Sequence, residues 1–174
     1  MGRDILKYGV IAGSVCVVAM WATLLAFRGA MPHGAMGMAI GYVGMLVALS
    51  AVWFGIRHHR DAHLGGTIRF WPAFGLGLGI SFVAALFYVA SWEVANATVA
   101  SNFTADYAAA ALAEAKAEGA DAATLAKMQA DMDGFADYYA NPLFRLPMVF
   151  AEIFPVGVLV SLVSALLLRR SRKG

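Results

Sequence analysis

The chain has a single cysteine, and long stretches of it carry no charge at all. Cys16 can form no internal disulfide, and it falls in an apolar run where it packs as a small hydrophobe. Charged residues make up 14% of the 174 positions and apolar residues 61%. That apolar share exceeds the roughly 45–50% of a soluble domain. A soluble protein of this size could not cover so much apolar surface, whereas a bilayer leaves it no need to. The motifs of common chemistries are missing too. There is no nucleophile elbow, HExxH, phosphate loop or CxxC pair, so no catalytic residue, metal or cofactor is expected, and no enzyme. Gly75-Leu76-Gly77-Leu78-Gly79 is not a dinucleotide fingerprint, because no strand precedes it and it lies within an apolar run.

What is present is four apolar stretches of bilayer length. A spanning helix needs about 20 mostly apolar residues to cross a core of roughly 30 Å. Residues 8–27, 36–56, 70–95 and 146–168 meet that length, and only Glu93 and Glu152 bring charge into them. The first is too long for a signal core, and Arg28 spoils the cleavage site that should follow. Basic residues orient the spans. Nine of the thirteen lie before span one (Arg3, Lys7), between spans two and three (Arg57, Arg60, Arg69) or after span four (Arg169, Arg170, Arg172, Lys173). An even number of spans puts all nine on one side, with both termini cytoplasmic. The basic tail then reads as a topology anchor and not as a nucleic-acid site.

The predicted fold is therefore an all-α membrane protein: one membrane domain over residues 1–174, four transmembrane helices, and an extracytoplasmic helical hairpin between spans three and four. Residues 101–141 form the hairpin. They are rich in alanine and charge, which favours helix. Asn102 or Thr104 can cap a first helix that Gly119 ends. Asp121 can cap a second that Asn141-Pro142 ends. Leu125, Met128, Met132, Phe135 and Tyr139 repeat at spacings of 3, 4, 3 and 4, a narrow apolar seam. The seam packs on the first helix or docks a partner, either a periplasmic protein or a second copy.

Carboxylates inside spans are candidate functional groups. Glu93 lies 23 residues beyond Phe70 and Glu152 five beyond Pro147. At about 1.5 Å per residue both belong near the outer boundary, at similar depth. There they could form an intramembrane acid pair for a proton or cation, or be neutralised by Arg145 or Arg28. Pro155 frees the carbonyl of Ala151 beside Glu152 and can kink the helix. Between spans two and three, His59 and His63 are four apart and would share a helix face, but the acid nearest in sequence, Asp61, sits among basic residues. No metal site is expected there. Glycines four apart (Gly9 and Gly13, Gly37 and Gly41, Gly75 and Gly79), continued by Gly157, Ser161 and Ala165, fit close packing of spanning helices.

Two blocks carry a family resemblance. One is Gly41-Tyr42-Val43-Gly44-Met45 through Phe54-Gly55-Ile56-Arg57, Arg60-Asp61 and Gly65-Gly66-Thr67-Ile68-Arg69-Phe70. The other is Asn141-Pro142 with Glu152-Ile153-Phe154-Pro155-Val156-Gly157, Ser161 and Ser164. Together they resemble the bacterial integral-membrane family called domain of unknown function 4199, over nearly the whole chain. The resemblance implies a four-span protein of the bacterial inner membrane and brings no activity. Two functions stand as expectations. One is a non-enzymatic interaction or assembly protein acting through its periplasmic hairpin. The other is a small oligomeric transporter or proton-coupled permeation unit using Glu93 and Glu152.

Overall fold

The computed structural model describes residues 1–27 and 34–169. Arg28, one of the two expected counter-charges, and Arg170, Arg172 and Lys173 of the basic tail lie outside the described residues. Six helices follow in order: α1 (Gly2–Ala26), α2 (Gly34–His63), α3 (Phe70–Ala97), α4 (Phe103–Ala117), α5 (Ala122–Ala140) and α6 (Pro142–Leu168). Among the described residues there is no strand.

α1, α2, α3 and α6 are each long and apolar enough to cross a membrane, so the chain reads as a multi-pass membrane protein. They run up and down alternately. α3 is the central helix, with α1 on one side and α6 on the other, and α2 closes against all three. Large apolar side chains such as Val18, Val43, Val47, Leu159 and Leu167 stay on the outer surface, as lipid contact requires.

Small residues decide how near the helices come. A Cβ on Gly9 would lie 2.6 Å from the Val83 side chain, and one on Gly13 would lie 2.6 Å from Phe87. α1 therefore sits on α3 only because both positions lack a side chain. α3 and α6 interlock reciprocally: Gly157 receives Ser81, and Gly77 receives Ser161. Ser81 donates to the Gly157 carbonyl at 3.2 Å, and Ser161 donates to the same carbonyl at 2.7 Å. Gly41 has no such neighbour. Most residues of α2 from Ala35 to Val43 are exposed.

The helices run beyond the apolar stretches that mark them. α1 begins at Gly2 and so includes Asp4. α2 continues through Arg57–His63, which the sequence reading treats as a loop between spans; Arg57 and Asp61, one turn apart at 3.7 Å, support that extra helix. The turn to α3 uses Gly65 and Gly66, both at positive φ (62° and 85°), where a side chain would be strained. α6 begins at Pro142 and continues through Pro147 and Pro155 as one helix. Asn141 both ends α5 and caps α6, accepting from the Leu143 N–H at 3.0 Å.

α4 and α5 pair as an antiparallel hairpin between α3 and α6, turned at Gly119 with φ +89°. Asp121 caps α5, accepting from the Thr124 N–H at 2.7 Å, and that bond holds its carboxyl below the usual range. Leu125, Met128, Met132 and Phe135 are half-buried, Tyr139 is buried, and the positions between them are mostly exposed. The seam thus points at α4 and at the end of the bundle.

Candidate functional site

Three groups of polar residues stand out, two at the hairpin end and one at the opposite end. The first is an ion pair. Arg145, in the first turn of α6, reaches across to Glu93, near the end of α3. Its Nε and Nη2 donate to the two carboxylate oxygens at 2.7 and 2.6 Å, a forked contact. Its Nη1 donates to the Tyr139 carbonyl at 3.0 Å. One guanidinium therefore ties α3, the end of α5 and the start of α6 together. Glu93 is accounted for by this structural contact.

Glu152 has different surroundings. It lies seven residues beyond Arg145 on the same helix, about 10 Å further into the bundle at 1.5 Å per residue. The structure brings Arg145 to Glu93 and gives Glu152 a separate partner, the Tyr88 hydroxyl. Among the described residues no ion pair is found for Glu152. Its side chain is open to a cavity yet closely surrounded by protein.

That cavity measures about 610 Å³ and is the second group. All six helices contribute to its walls. Cys16 and Met20 come from α1, Tyr42 and Met45 from α2, Tyr88 and Trp92 from α3, and Glu152 from α6. The hairpin covers it with Phe103, Tyr107 and Glu114 of α4 and Phe135 and Tyr139 of α5. Its described lining holds seven aromatic residues and two carboxylates, Glu114 and Glu152, and no lysine, arginine or histidine. Aromatic contacts knit the cover to the bundle. Trp92 meets Phe103 edge-on with ring centroids 5.0 Å apart, and Phe103 lies 5.7 Å from Tyr139. Trp92 Nε1 donates to the Tyr139 hydroxyl. Burial pushes the Tyr139 phenol up to about 12.

The third group is at the other end. Asp4 of α1 is buried, with His59 Nδ1 2.8 Å and His63 Nε2 3.4 Å from its Oδ2. Asp4 therefore supplies the histidines with an acid that is distant in sequence. Nearby, Arg60 binds Asp61 at 2.7 Å and also reaches the Leu168 carbonyl of α6 at 3.4 Å.

Sequence reasoning picks out Glu93, Glu152 and Arg145 but overlooks Tyr88, Trp92, Glu114 and Asp4. Tyr88 and Trp92 are four apart, a shared helix face, and that spacing was the available signal. Pro155 is exposed within α6.

Four bilayer-length helices around an aromatic, acid-bearing cavity define the class as a small multi-pass membrane protein, helical throughout its described residues. The family model described as protein of unknown function (DUF4199) matches residues 7–170, so the chain belongs to that family. No curated protein and no solved structure matches it.

Proposed function

We propose that this is a non-enzymatic membrane protein that binds an organic cation with an apolar body in the cavity under its hairpin. The observation that carries the reading is the lining: seven aromatic residues and two carboxylates, with no basic residue among those described. A volume of about 610 Å³ is within the roughly 300–1,000 Å³ of small-molecule sites. Aromatic faces attract a cation that is easily stripped of water, and alkyl or aryl substituents fill the apolar wall. Glu152 brings a carboxyl group into the lining, alongside Tyr88.

The charge split of the sequence supports the orientation. We place the hairpin on the periplasmic side of a bacterial inner membrane, both termini in the cytoplasm, and the cavity mouth at the outer leaflet. Assembly through the hairpin seam has less support, because the seam already packs on α4 and the bundle. Transport is the second reading. Its support is the depth of Glu152, which would let the same cation move further inward.

Tetraphenylphosphonium is a suitable probe, with triphenylphosphine oxide as its neutral counterpart. Trp92 lies in the lining and reports binding by fluorescence quenching. The cation is expected to bind wild-type protein in detergent with higher affinity than the neutral compound. Glu152→Gln should weaken it about tenfold, or about 1.4 kcal/mol, and leave the neutral compound unaffected. Equal binding of both compounds, or an unchanged affinity in Glu152→Gln, contradicts the proposal.

A further inference from the structure

The buried Asp4 and the histidines at the end of α2 form a group that the cavity does not use. A carboxylate oxygen of Asp4, a ring nitrogen of His58 and one of His63 lie within 4.8 Å of one another. The three residues come from two helices that pack together, α1 and α2. Asp4 is 6% exposed. A carboxylate so enclosed is costly unless it is hydrogen-bonded or neutralised. His59 gives it one bond, at 2.8 Å, from Nδ1. The same oxygen, Oδ2, lies 3.4 Å from His63 Nε2.

We infer that Asp4, His58 and His63 form a binding site for a divalent transition-metal ion of the zinc class. Two imidazoles and one carboxylate are a donor set that suits Zn²⁺ and its neighbours and leaves a position for water. Two ligands each about 2.1 Å from a tetrahedral ion are roughly 3.4 Å apart. Asp4 and His63 are already at 3.4 Å. His63 is exposed, so its side chain can close the longer gap without disturbing the core. His59 acts behind the ligands, fixing the Asp4 carboxylate as outer partners of metal ligands do.

Two arginines of α2 beside the site share one carboxylate. Both Arg57 and Arg60 contact Asp61, at 3.7 and 2.7 Å. The consequence of loading would be mechanical. A metal held by Asp4 on one side and two histidines on the other pins the start of α1 to the end of α2. Sequence spacing alone disfavours such a site, because the acid it needs is 54 positions from the first histidine.

The test uses the full chain, free of any affinity tag, in detergent. Co²⁺ is titrated while visible absorption is recorded, and Zn²⁺ is then added to displace it. One equivalent of Co²⁺ is expected to give an absorption band that Zn²⁺ abolishes. His63→Ala should weaken Zn²⁺ binding at least tenfold, and because that side chain is exposed the variant should fold. Asp4→Asn should do the same. If Asp4→Asn does not fold, His58→Ala takes its place beside His63→Ala. Arg57→Ala, on the same turn, should bind as wild type does. No Co²⁺ spectrum, or Zn²⁺ affinity unchanged in His63→Ala, overturns the inference.

Discussion

Two carboxylates in neighbouring helices have opposite fates, and the difference lies in what each side chain meets. Glu93 meets a guanidinium that approaches with two nitrogens, while Glu152 meets a tyrosine hydroxyl at the edge of a cavity. Their positions were legible as charges inside apolar runs, but their partners were not. Arg145 follows Glu93 by 52 positions, and whether the two meet depends on how α6 rotates on α3. That rotation is set by Ser81 and Ser161 entering Gly157 and Gly77, a match of shapes that spacing does not encode. Arg145→Ala is expected to cost about 3 kcal/mol, the low end for a broken buried pair. The low end applies because the Glu93 side chain remains 29% exposed. Adding Glu93→Gln to that variant should recover part of the loss, which thermal unfolding in detergent can measure.

At the level of elements, close approach and seam packing can be separated experimentally. Gly157→Ala drives a Cβ to 2.6 Å from the Ser81 Cβ, an atom fixed to its own backbone. The expected cost is about 1–3 kcal/mol, typical of overpacking. Gly41→Ala meets nothing within 4 Å and should be neutral or slightly stabilising, since alanine is the better helix former. Equal effects at the two positions would contradict the described packing. The hairpin was readable from its caps: Asp121 caps α5, and Gly119 turns the chain. The cavity that it covers was not readable, because its aromatic residues come from α2, α3, α4 and α5 and converge only in three dimensions. Tyr139 gives the hairpin a pH signature. Its phenol is pushed up to about 12 by burial, against about 10 in an unfolded chain. The unfolded state therefore loses its proton first, and this contribution to stability is complete below pH 10 and is lost between about pH 10 and 12. Tyr139→Phe should flatten that part of the stability profile.

For the whole molecule, the apolar stretches were enough to read four helices long and apolar enough to cross a membrane, which the fold contains. The proposed orientation is tested with single cysteines placed in a Cys16→Ser background. In intact cells a membrane-impermeant maleimide should label a cysteine at Ala130, in the hairpin, and should not label one at Thr67, between α2 and α3. The reverse pattern would invert the topology. Whether the cavity is a site for an apolar cation is tested most directly by site mapping. A benzophenone-bearing alkylammonium is photolysed with the protein in lipid vesicles, and the labelled residues are identified by mass spectrometry. Labels on Met20, Met45, Trp92 and Met148, all in the cavity lining, and their loss in Glu152→Gln, are the predicted result. Labels confined to lipid-facing residues such as Val18, Val47 and Leu159, with no change in Glu152→Gln, would contradict it.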